Sequence, residues 1–478
     1  METRNLIHGE WLEASDGASF PVHNPATDEV VAEVPKLGTA GTRRAIESAA
    51  SALPEWREQT AKHRGKILRD YAALILAQQD ELARLMTREQ GKPLAEARGE
   101  VAYAASFIDW AAEEGKRIYG ETIPASDPNK RILVLRQPVG VTACITPWNF
   151  PAAMITRKLG PALAAGCTMV VKPAEQTPLT ALALAELGLQ AGLPAGVFNV
   201  ITGDPAVIGD ELLSNPAVRK LSFTGSTPVG RLLMAKAAQN LTRLSMELGG
   251  HAPFIVFDDA DVDAAVAGAM ASKYRNMGQT CICANRFFIQ DGIYDTFVGK
   301  LAEAVSAMTI GPGDQPGVTV GPLIDDAAVE KVQAHVDDAL SKKATLRCGG
   351  ELADLPGMSK RFYKPTILED CTADMRVSRE ETFGPVSPIR RFSSESQVVE
   401  WANDTDYGLA AYFFTRDASR LMRVAEQLEY GIVGANDGAP STEQAPFGGV
   451  KHSGFGREGG RHVMSEYLAV KYVSWGLS

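Results

Sequence analysis

Cys281 lies in the stretch Asn276 to Arg286 (NMGQTCICANR), where small and polar residues surround it. Gly278, just upstream, permits a substrate to approach the thiol closely, and this setting differs from the apolar surroundings of a core cysteine. A thiol placed in this way is suited to nucleophilic attack on a carbonyl carbon. Taken alone, the stretch also fits a buried structural cysteine.

Two other segments carry side chains that suit the same chemistry. Glu247, in MELGGHAPFIVF, comes at a predicted strand end before Gly249 and Gly250, where a carboxylate can face a cleft as a general base. Asn149 lies between the two prolines of TPWNFP, in a rigid turn that leaves its amide ready to donate to an oxyanion. Each has an ordinary alternative, a surface or capping carboxylate for Glu247 and a turn-forming residue for Asn149.

A fourth segment, LSFTGSTPVG, favours a phosphate. It places Gly225 and Ser226 after a predicted strand and before a predicted helix, where backbone N–H groups and the helix dipole attract an anion. The spacing from Gly225 to Gly230 is not the usual G-x-G-x-x-G, so the segment by itself also fits a simple loop turn.

The elements around these segments predict an α/β fold. From Val139 onward, short β-type runs such as VGVTACI and TMVVK alternate with amphipathic stretches, a rhythm typical of a doubly wound parallel sheet. A second α/β cycle begins near Pro253 with FIVF. Residues Thr42 to Tyr119 read as helices packed against the first sheet. The turn cluster within Ile123 to Gln137 predicts a protruding hairpin, and Tyr467 to Trp475 predicts a terminal strand whose pairing edge a partner subunit could supply.

Composition restricts the class of partner. The 478 residues are 45% hydrophobic and 22% charged, with a net charge of −10, which argues against a nucleic-acid or anionic-membrane surface and favours a small-molecule ligand. Residues Met1 to Trp11 lack the apolar core of a signal peptide, and six scattered cysteines fit a reducing compartment, so a cytoplasmic location is expected. No metal-binding motif is present, and no metal is expected.

Taken together, the segments resemble the aldehyde dehydrogenase superfamily over Ile7 to Trp475. The motifs TPWNFP, KPAE, FTGST, MELGG, GQTC, EETFGP and PFGG occur in the family's order. The resemblance implies that Cys281 is the nucleophile, Glu247 the general base, and Asn149 with the Cys281 backbone N–H the oxyanion hole. It also implies an NAD(P)-binding domain (1–121 and 139–248), a catalytic domain (249–448), and an oligomerisation hairpin and strand (122–138 and 460–478) that build a homodimer or homotetramer.

The same resemblance assigns a cofactor site. Lys172 and Glu175 of KPAE match positions that bind the adenine ribose. The groove is expected to be lined by Trp148, Gly225, Ser226 and Leu248, and the nicotinamide ribose to be contacted by Glu381 and Phe383. Because a carboxylate at Glu175 accepts hydrogen bonds from ribose hydroxyls and repels a 2′-phosphate, NAD is expected to be preferred, with NADP possible through Lys172.

Two arginines predict an acidic aldehyde. Arg157 in ITRKLGPAL and Arg275, six positions before Cys281, can bind a carboxylate through charge-assisted bonds, although two structural ion pairs are the alternative. With these arginines the chain is most similar to succinate-semialdehyde dehydrogenases, whose third carboxylate contact matches Ser441. The sequence NDGAPSTEQ around Ser441 differs from the one typical of that group, so glutarate semialdehyde and 2-oxoglutarate semialdehyde remain alternative substrates.

Cys283 follows the nucleophile by two residues, and the resemblance suggests reversible oxidative inactivation through a Cys281 to Cys283 disulfide, with simple packing as the alternative. Two other classes of protein are alternatives to a dehydrogenase. A cysteine hydrolase or acyltransferase would not need KPAE, FTGST and EETFGP. A non-enzymatic scaffold would not need Cys281, Glu247 and Asn149 together.

Overall fold

The computed structural model describes residues 1–477, in which the strands form two large sheets, one three-stranded sheet and one hairpin. Ser478, the last residue of the segment 460–478 predicted above, lies outside the described residues. Within residues 1–477, no helix is both long enough and apolar enough to cross a membrane. The predicted α/β class is confirmed.

The strands are short, as expected for alternating α/β units. In chain order they are β1 (Asn5–Ile7), β2 (Glu10–Leu12), β3 (Ser19–His23), β4 (Val30–Pro35), β5 (Glu121–Ile123), β6 (Lys130–Pro138), β7 (Val141–Ile145), β8 (Thr168–Lys172), β9 (Phe198–Val200), β10 (Val218–Thr224), β11 (Arg243–Glu247), β12 (Ala252–Val256), β13 (Ala284–Gln290), β14 (Thr345–Cys348), β15 (Thr366–Glu369), β16 (Val386–Phe392), β17 (Ala410–Phe414), β18 (Ile432–Ala435), β19 (Gly454–Phe455) and β20 (Leu468–Gly476).

The α-helices connect these strands and cover the sheets. They are α1 (Thr39–Glu58), α2 (Ala61–Ala77), α3 (Gln79–Gln90), α4 (Leu94–Glu114), α5 (Ala153–Ala165), α6 (Pro178–Gln190), α7 (Pro205–Ser214), α8 (Thr227–Ala237), α9 (Val262–Lys273), α10 (Tyr294–Ser306), α11 (Asp326–Ser341), α12 (Glu395–Asn403), α13 (Ala418–Gln427) and α14 (Val463–Glu466). The predicted helical region is thus formed by α1 to α4.

The first sheet has the strand order β19-β11-β10-β7-β8-β9-β1-β2. Strands β7 to β11 are parallel, and the direction of connection reverses at β7, which lies between β8 and β10. Every residue of β7 and β8 is buried, as expected for apolar runs covered by helices on both faces. In an open parallel sheet, ligands bind beyond the carboxyl ends of the strands at such a reversal.

The second sheet has the order β14-β15-β16-β13-β12-β17-β18 and is parallel except for β14. Strand β12, in the interior of this sheet, is fully buried and is flanked by β13 and β17. Phe254 at the middle of β12 lies within ring contact of Phe287 and Phe414 on the neighbouring strands. This sheet confirms the second α/β cycle predicted from Pro253 onward.

The third sheet contains the predicted hairpin, and its pairing corrects one expectation. Strands β5 and β6 form the hairpin, and β20 pairs antiparallel with the whole length of β6, from Leu468 opposite Pro138 to Gly476 opposite Lys130. The C-terminal strand β20 therefore pairs with a strand of its own chain, β6. The expectation of a partner-supplied edge was wrong for this pairing, because β6 already offers a complete antiparallel partner.

Candidate active site

The loop that carries Cys281 packs directly on the turn that follows β11. Glu247 is the last residue of β11, as predicted, and Gly249 and Gly250 lead from it into β12. A β-carbon on Gly250 would overlap the carbonyl oxygen of Cys281, and one on Gly278 would overlap the carbonyl oxygen of Gly384. The glycines therefore allow the MELGG, GQTC and EETFGP segments to meet.

Cys281 is partly exposed and is a free thiol. Burial of the sulfur raises the pKa of Cys281 to about 12, Arg157 and Arg275 oppose this rise, and the carboxylates of Glu247 and Glu381 add to it. The thiolate is therefore disfavoured in the protein without ligands, although two guanidinium groups act on it.

Glu247 is a buried carboxylate with no hydrogen-bond partner on either oxygen among residues 1–477. Burial, and next the nearby carboxylate of Glu458, raise the pKa of Glu247 well above its ordinary value. Gly448 leaves it room, because a β-carbon there would lie 2.9 Å from Glu247 Oε1. An unpartnered carboxylate with a raised pKa is suited to accept a proton from water near neutral pH.

Asn149 is held against the cysteine loop by both its side chain and its backbone. Its Nδ2 donates to the carbonyl oxygen of Gln279 at 2.9 Å, which leaves one amide hydrogen free. Its own carbonyl oxygen accepts from Lys92 Nζ at 2.8 Å and from Asn276 Nδ2 at 2.9 Å. The predicted preorganised donor is thus close to Cys281 and fixed in orientation.

Glu458 is a buried carboxylate beside Arg157 that was not predicted from the sequence. Its Oε2 lies 2.8 Å from Arg157 Nε, and its Oε1 pairs with Lys158 Nζ, which also donates to Ser222 Oγ at 3.1 Å. Burial opposes ionisation of Glu458, but Lys158 and Arg157 outweigh it and lower its pKa. No pattern in the sequence marks Glu458, because it lies 300 positions from Lys158 and a glutamate in a glycine-rich loop is ordinarily exposed.

Arg157 makes the ion pair that was offered as its alternative role. It is 1% exposed, and its guanidinium lies between the rings of Phe107 (5.0 Å) and Phe447 (4.0 Å) while Nε faces Glu458. Its Nη2 has no hydrogen-bond partner among the described residues. One edge of the guanidinium is therefore engaged by the protein, and another nitrogen remains available.

Arg275 makes no ion pair with any described carboxylate, and its Nε has no hydrogen-bond partner. It lies over the ring of Phe150, 5.2 Å from the centroid, beside the Asn149 turn. Ser441 Oγ is 2.5 Å from the hydroxyl of Tyr103, and Tyr103 in turn acts on the pKa of Arg157. Arg275 thus forms no ion pair, whereas Arg157 is paired with Glu458.

Cys283 points into the protein core. It is 0% exposed, and its Sγ is 3.4 Å from Lys273 Nζ, which also donates to Asn285 Oδ1 at 3.3 Å. Cys281 and Cys283 are both free thiols. A disulfide between them requires Cys283 to leave its contact with Lys273, so the redox role stays a prediction.

The carboxyl end of β10 has the features of an anion site. Gly225 and Ser226 follow β10 directly, and Ser226 is the N-cap residue of α8 but makes no capping bond with its side chain. Thr224 Oγ1 is buried and has no partner among residues 1–477. Free N–H groups at a helix start beside an unsatisfied hydroxyl fit a phosphate group, as predicted for the cofactor.

Lys172 and Glu175 pair with each other at the end of β8. Lys172 is 2% exposed and also donates to the carbonyl oxygen of Pro173 at 2.9 Å, whereas the Glu175 side chain is 37% exposed. Burial lowers the pKa of Lys172. The Glu175 carboxylate is therefore accessible to a ligand, whereas the Lys172 amine is not.

The remaining cofactor candidates are Trp148, Leu248, Glu381 and Phe383. Glu381 accepts from the Gly250 N–H at 2.9 Å, and burial raises its pKa to about 7. Phe383 has a left-handed backbone (φ 56°) and meets Trp148 edge to face at 5.6 Å. Leu248 is buried, and its N–H donates to the carbonyl oxygen of Ser453 at 3.0 Å. A strained non-glycine residue such as Phe383 is typical of a functional site.

Comparison with known proteins agrees with this arrangement. The sequence profile of the aldehyde dehydrogenase family matches residues 11–473. The chain is 61% identical over 472 residues to the NADP-dependent succinate-semialdehyde dehydrogenase of Escherichia coli strain K12 (99% of this chain, 97% of that protein). It is 60% identical over 470 residues to the glutarate-semialdehyde dehydrogenase of Pseudomonas aeruginosa (98% and 97%).

Among solved structures, the succinate-semialdehyde dehydrogenase of Burkholderia pseudomallei superposes with a TM-score of 0.97 at 58% identity, covering 99% of this chain and 98% of that one. The resemblance inferred from the ordered motifs is confirmed. The chain belongs to the aldehyde dehydrogenase family and is an NAD(P)-dependent oxidoreductase that acts on aldehydes.

Proposed function

We propose that this enzyme oxidises an acidic semialdehyde, with succinate semialdehyde as the preferred substrate and succinate as the product. Cys281 is the nucleophile, Glu247 the general base, and the Asn149 amide with the Cys281 backbone N–H the oxyanion hole. Arg157, Arg275 and Ser441 bind the substrate carboxylate. The free amide hydrogen of Asn149 and the unpartnered oxygens of Glu247 support these roles.

The residues act in sequence. Cys281 attacks the aldehyde carbon as the thiolate, its proton having passed to water, and the resulting oxyanion accepts hydrogen bonds from Asn149 and the Cys281 N–H, each donor lowering the barrier by about 3 kcal/mol. A nicotinamide cofactor, when bound, supplies the acceptor for the hydride. The thioester left on Cys281 is hydrolysed by a water that Glu247 deprotonates, and the Glu247 carboxylate then holds that proton.

Arg275 is the main support for assigning an acidic aldehyde as the substrate. Its side chain is only partly buried, forms no salt bridge with a carboxylate of residues 1–477, and acts on the pKa of the Cys281 thiol. A partly exposed guanidinium without a salt-bridge partner is free to form charge-assisted bonds with a ligand carboxylate. The unpartnered Nη2 of Arg157 offers the same carboxylate a second donor.

A second candidate substrate is glutarate semialdehyde. It is supported by the 60% identity to the glutarate-semialdehyde dehydrogenase of Pseudomonas aeruginosa. Both substrates present an aldehyde at one end and a carboxylate at the other, so the same arginines suit both. Ser441 lies on the loop whose sequence differs from that typical of succinate-semialdehyde dehydrogenases, and its partner Tyr103 lies on α4. These two residues select the chain length of the substrate.

We propose further that NAD is preferred over NADP. The exposed Glu175 carboxylate can accept hydrogen bonds from both ribose hydroxyls, and its charge repels a 2′-phosphate. Lys172, its ion-pair partner, is the group through which NADP can still be used. This assignment differs from the cofactor named for the Escherichia coli relative.

We also propose the domain division 1–121 with 139–248, 249–448, and 122–138 with 460–478. The separate strand orders of the three sheets support it. A homodimer or homotetramer built through the third sheet is supported by its exposed apolar side chains, Val470, Tyr472 and Trp475. Six free cysteines support a cytoplasmic location.

The substrate proposal is tested by kcat/KM for succinate semialdehyde, glutarate semialdehyde and a neutral aldehyde of similar length. We expect at least a 100-fold preference for an acidic aldehyde, which corresponds to about 2.7 kcal/mol of transition-state binding. Arg275→Met should remove most of this preference while leaving activity on the neutral aldehyde. Equal efficiency with the neutral compound in the wild-type enzyme would refute the proposal.

The covalent role of Cys281 is tested separately by trapping the acylated enzyme with acid quench and mass spectrometry. A thioester on Cys281 is expected, and none in Cys281→Ser. Aldehyde oxidation by Cys281→Ser at the parental rate would be incompatible with the proposed chemistry.

A further inference from the structure

Lys92 makes a buried contact with the backbone of the Asn149 turn. Its side chain is 1% exposed, and Nζ donates at 2.8 Å to the carbonyl oxygen of Asn149. Nζ also lies 4.1 Å from the centroid of the Phe150 ring, over which Arg275 lies as well. One amine therefore touches both the predicted oxyanion donor and the aromatic ring beside a predicted substrate arginine.

Glu100 completes this contact from α4. It forms a buried ion pair with Lys92 Nζ through Oε2, and its Oε1 accepts from the N–H groups of Ala152 (3.0 Å) and Ala153 (3.2 Å). These are the free N–H groups at the start of α5, immediately after the Asn149 turn. The ion pair thus holds the turn at its centre and at its end.

The same segment of chain holds the cysteine loop. Gln90 Nε2 donates to Asn276 Oδ1 at 3.0 Å, and Glu96 Oε2 accepts from the Asn276 N–H at 2.7 Å. Asn276 and Met277 both have left-handed backbone conformations (φ 51° and 55°), which non-glycine residues adopt only when their surroundings enforce them. Residues 90–100 therefore contact both the Asn149 turn and the start of the loop that carries Cys281.

We propose that Lys92 is a positioning residue for the oxidation step, acting through the Asn149 turn. The inference rests on the proposed role of Asn149 in binding the oxyanion. Lys92 touches no reacting atom. By donating to the Asn149 carbonyl while paired with Glu100, it sets the direction in which the free amide hydrogen of Asn149 points. Without this donor, Asn149 itself keeps the bond from Asn276 and the bond to Gln279.

The test removes the donor without leaving a buried charge. Lys92→Met alone would leave the Glu100 carboxylate buried without a counter-charge. The informative variant is therefore Lys92→Met/Glu100→Gln, in which the introduced amide oxygen still accepts hydrogen bonds from the N–H groups at the start of α5. The matched control, Lys92→Gln/Glu100→Gln, differs only in retaining an N–H donor at position 92. Both are compared with the parent by single-turnover formation of NADH, steady-state KM, cofactor Kd and Tm.

We expect the methionine double variant to keep its Tm, its cofactor Kd and its aldehyde KM within about twofold, while the single-turnover rate falls about 10- to 100-fold. The Lys92→Gln/Glu100→Gln variant should be faster than the methionine double variant. It should recover at least about a third of the decrease in the logarithm of the single-turnover rate. A parental rate in the methionine variant, or equal losses of rate, cofactor binding and Tm in both variants, would overturn the inference.

Asn149→Ala, measured alongside, separates this inference from the proposed function. If Asn149→Ala is slow and the methionine double variant is fast, only the role of Lys92 is wrong. If Asn149→Ala itself keeps the parental single-turnover rate, the oxyanion role of Asn149 is wrong, and the inference about Lys92 is overturned with it.

Discussion

Gly250 and Cys281 are in backbone contact: the carbonyl oxygen of Cys281 occupies the position that a side chain on residue 250 would need. Gly250 also donates its N–H to Glu381 Oε1 at 2.9 Å. Gly250, three residues after the strand that ends at Glu247, therefore contacts both the predicted nucleophile and a predicted cofactor contact.

Gly250→Ala is expected to lower kcat/KM by about 100-fold or more, because the added methyl group must displace the Cys281 backbone and with it one oxyanion donor. Gly99→Ala in α4 is the control, since nothing lies within 4 Å of a β-carbon there. It should keep full activity and gain about 0.5 kcal/mol in unfolding free energy. Parental kcat/KM in Gly250→Ala would contradict this account.

The pH dependence of alkylation tests the state of Cys281. Because burial raises its pKa to about 12, the thiolate fraction in the cofactor-free enzyme should increase about tenfold per pH unit between about pH 7 and 9. Iodoacetamide labelling, followed by mass spectrometry of the peptide containing Cys281, should therefore accelerate across this range without levelling. Cys281→Ser should lack the labelling at position 281. A labelling rate that levels off near pH 8 would be inconsistent with the raised pKa of Cys281.

Cofactor binding should depend on the charge of Glu381. Its carboxyl has a pKa of about 7, raised by burial, so it is protonated below that pH and accepts hydrogen bonds as a carboxylate above it. If Glu381 binds the nicotinamide ribose, the Kd for NAD should fall as the pH rises from about 6 to 8. Calorimetric titration measures this, and Glu381→Gln should flatten the change. An unaltered pH profile in that variant would count against the assignment.

Glu175→Ser is expected to move cofactor preference toward NADP. Removing one negative charge beside the ribose and releasing Lys172 from its ion pair should raise the NADP to NAD ratio of kcat/KM by about 10- to 100-fold. Glu175→Gln keeps the size and removes the charge, so it should show most of the change if repulsion is the cause. No change in either variant would oppose the proposed NAD preference.

The redox hypothesis for Cys283 predicts that peroxide-inactivated enzyme recovers with dithiothreitol and that Cys283→Ala does not. Peroxide converts the Cys281 thiol to a sulfenic acid, and the Cys283 thiol then forms the disulfide with loss of water. Residual activity after treatment and reduction is the measurement. Equal recovery of the wild type and Cys283→Ala would mean that Cys283 serves only in packing, as its contact with Lys273 suggests.

Local patterns predicted most of the fold. The all-buried runs of β7, β8 and β12 and the helices between strands follow the periods expected of an α/β protein. The role of β6 as partner of β20 was not predictable, because an alternating strand indicates that it needs an edge but not which edge. Register between strands so far apart in the chain is decided by tertiary contacts rather than by local sequence.

The candidate site was predicted through motif resemblance more than through chemistry. Taken singly, Cys281, Glu247 and Asn149 each fitted an ordinary structural role. Residues that act on them from a distance left no signal. Glu458 shifts the pKa of Glu247, and Lys92 holds the Asn149 turn, yet each is a charged residue in a stretch that reads as surface. Only the folded chain shows that these charges are buried and paired.

The hydrogen bond from Asn149 to Gln279 joins residues 130 positions apart, and that from Gln90 to Asn276 joins residues 186 positions apart. A chain growing from its N-terminus therefore makes the supports of the site long before the thiol, and Ser441 and Glu458 emerge later still. We therefore expect a ribosome-bound chain that ends soon after Cys281 to lack the proposed reactivity of that thiol, and aldehyde capture to require nearly the whole chain.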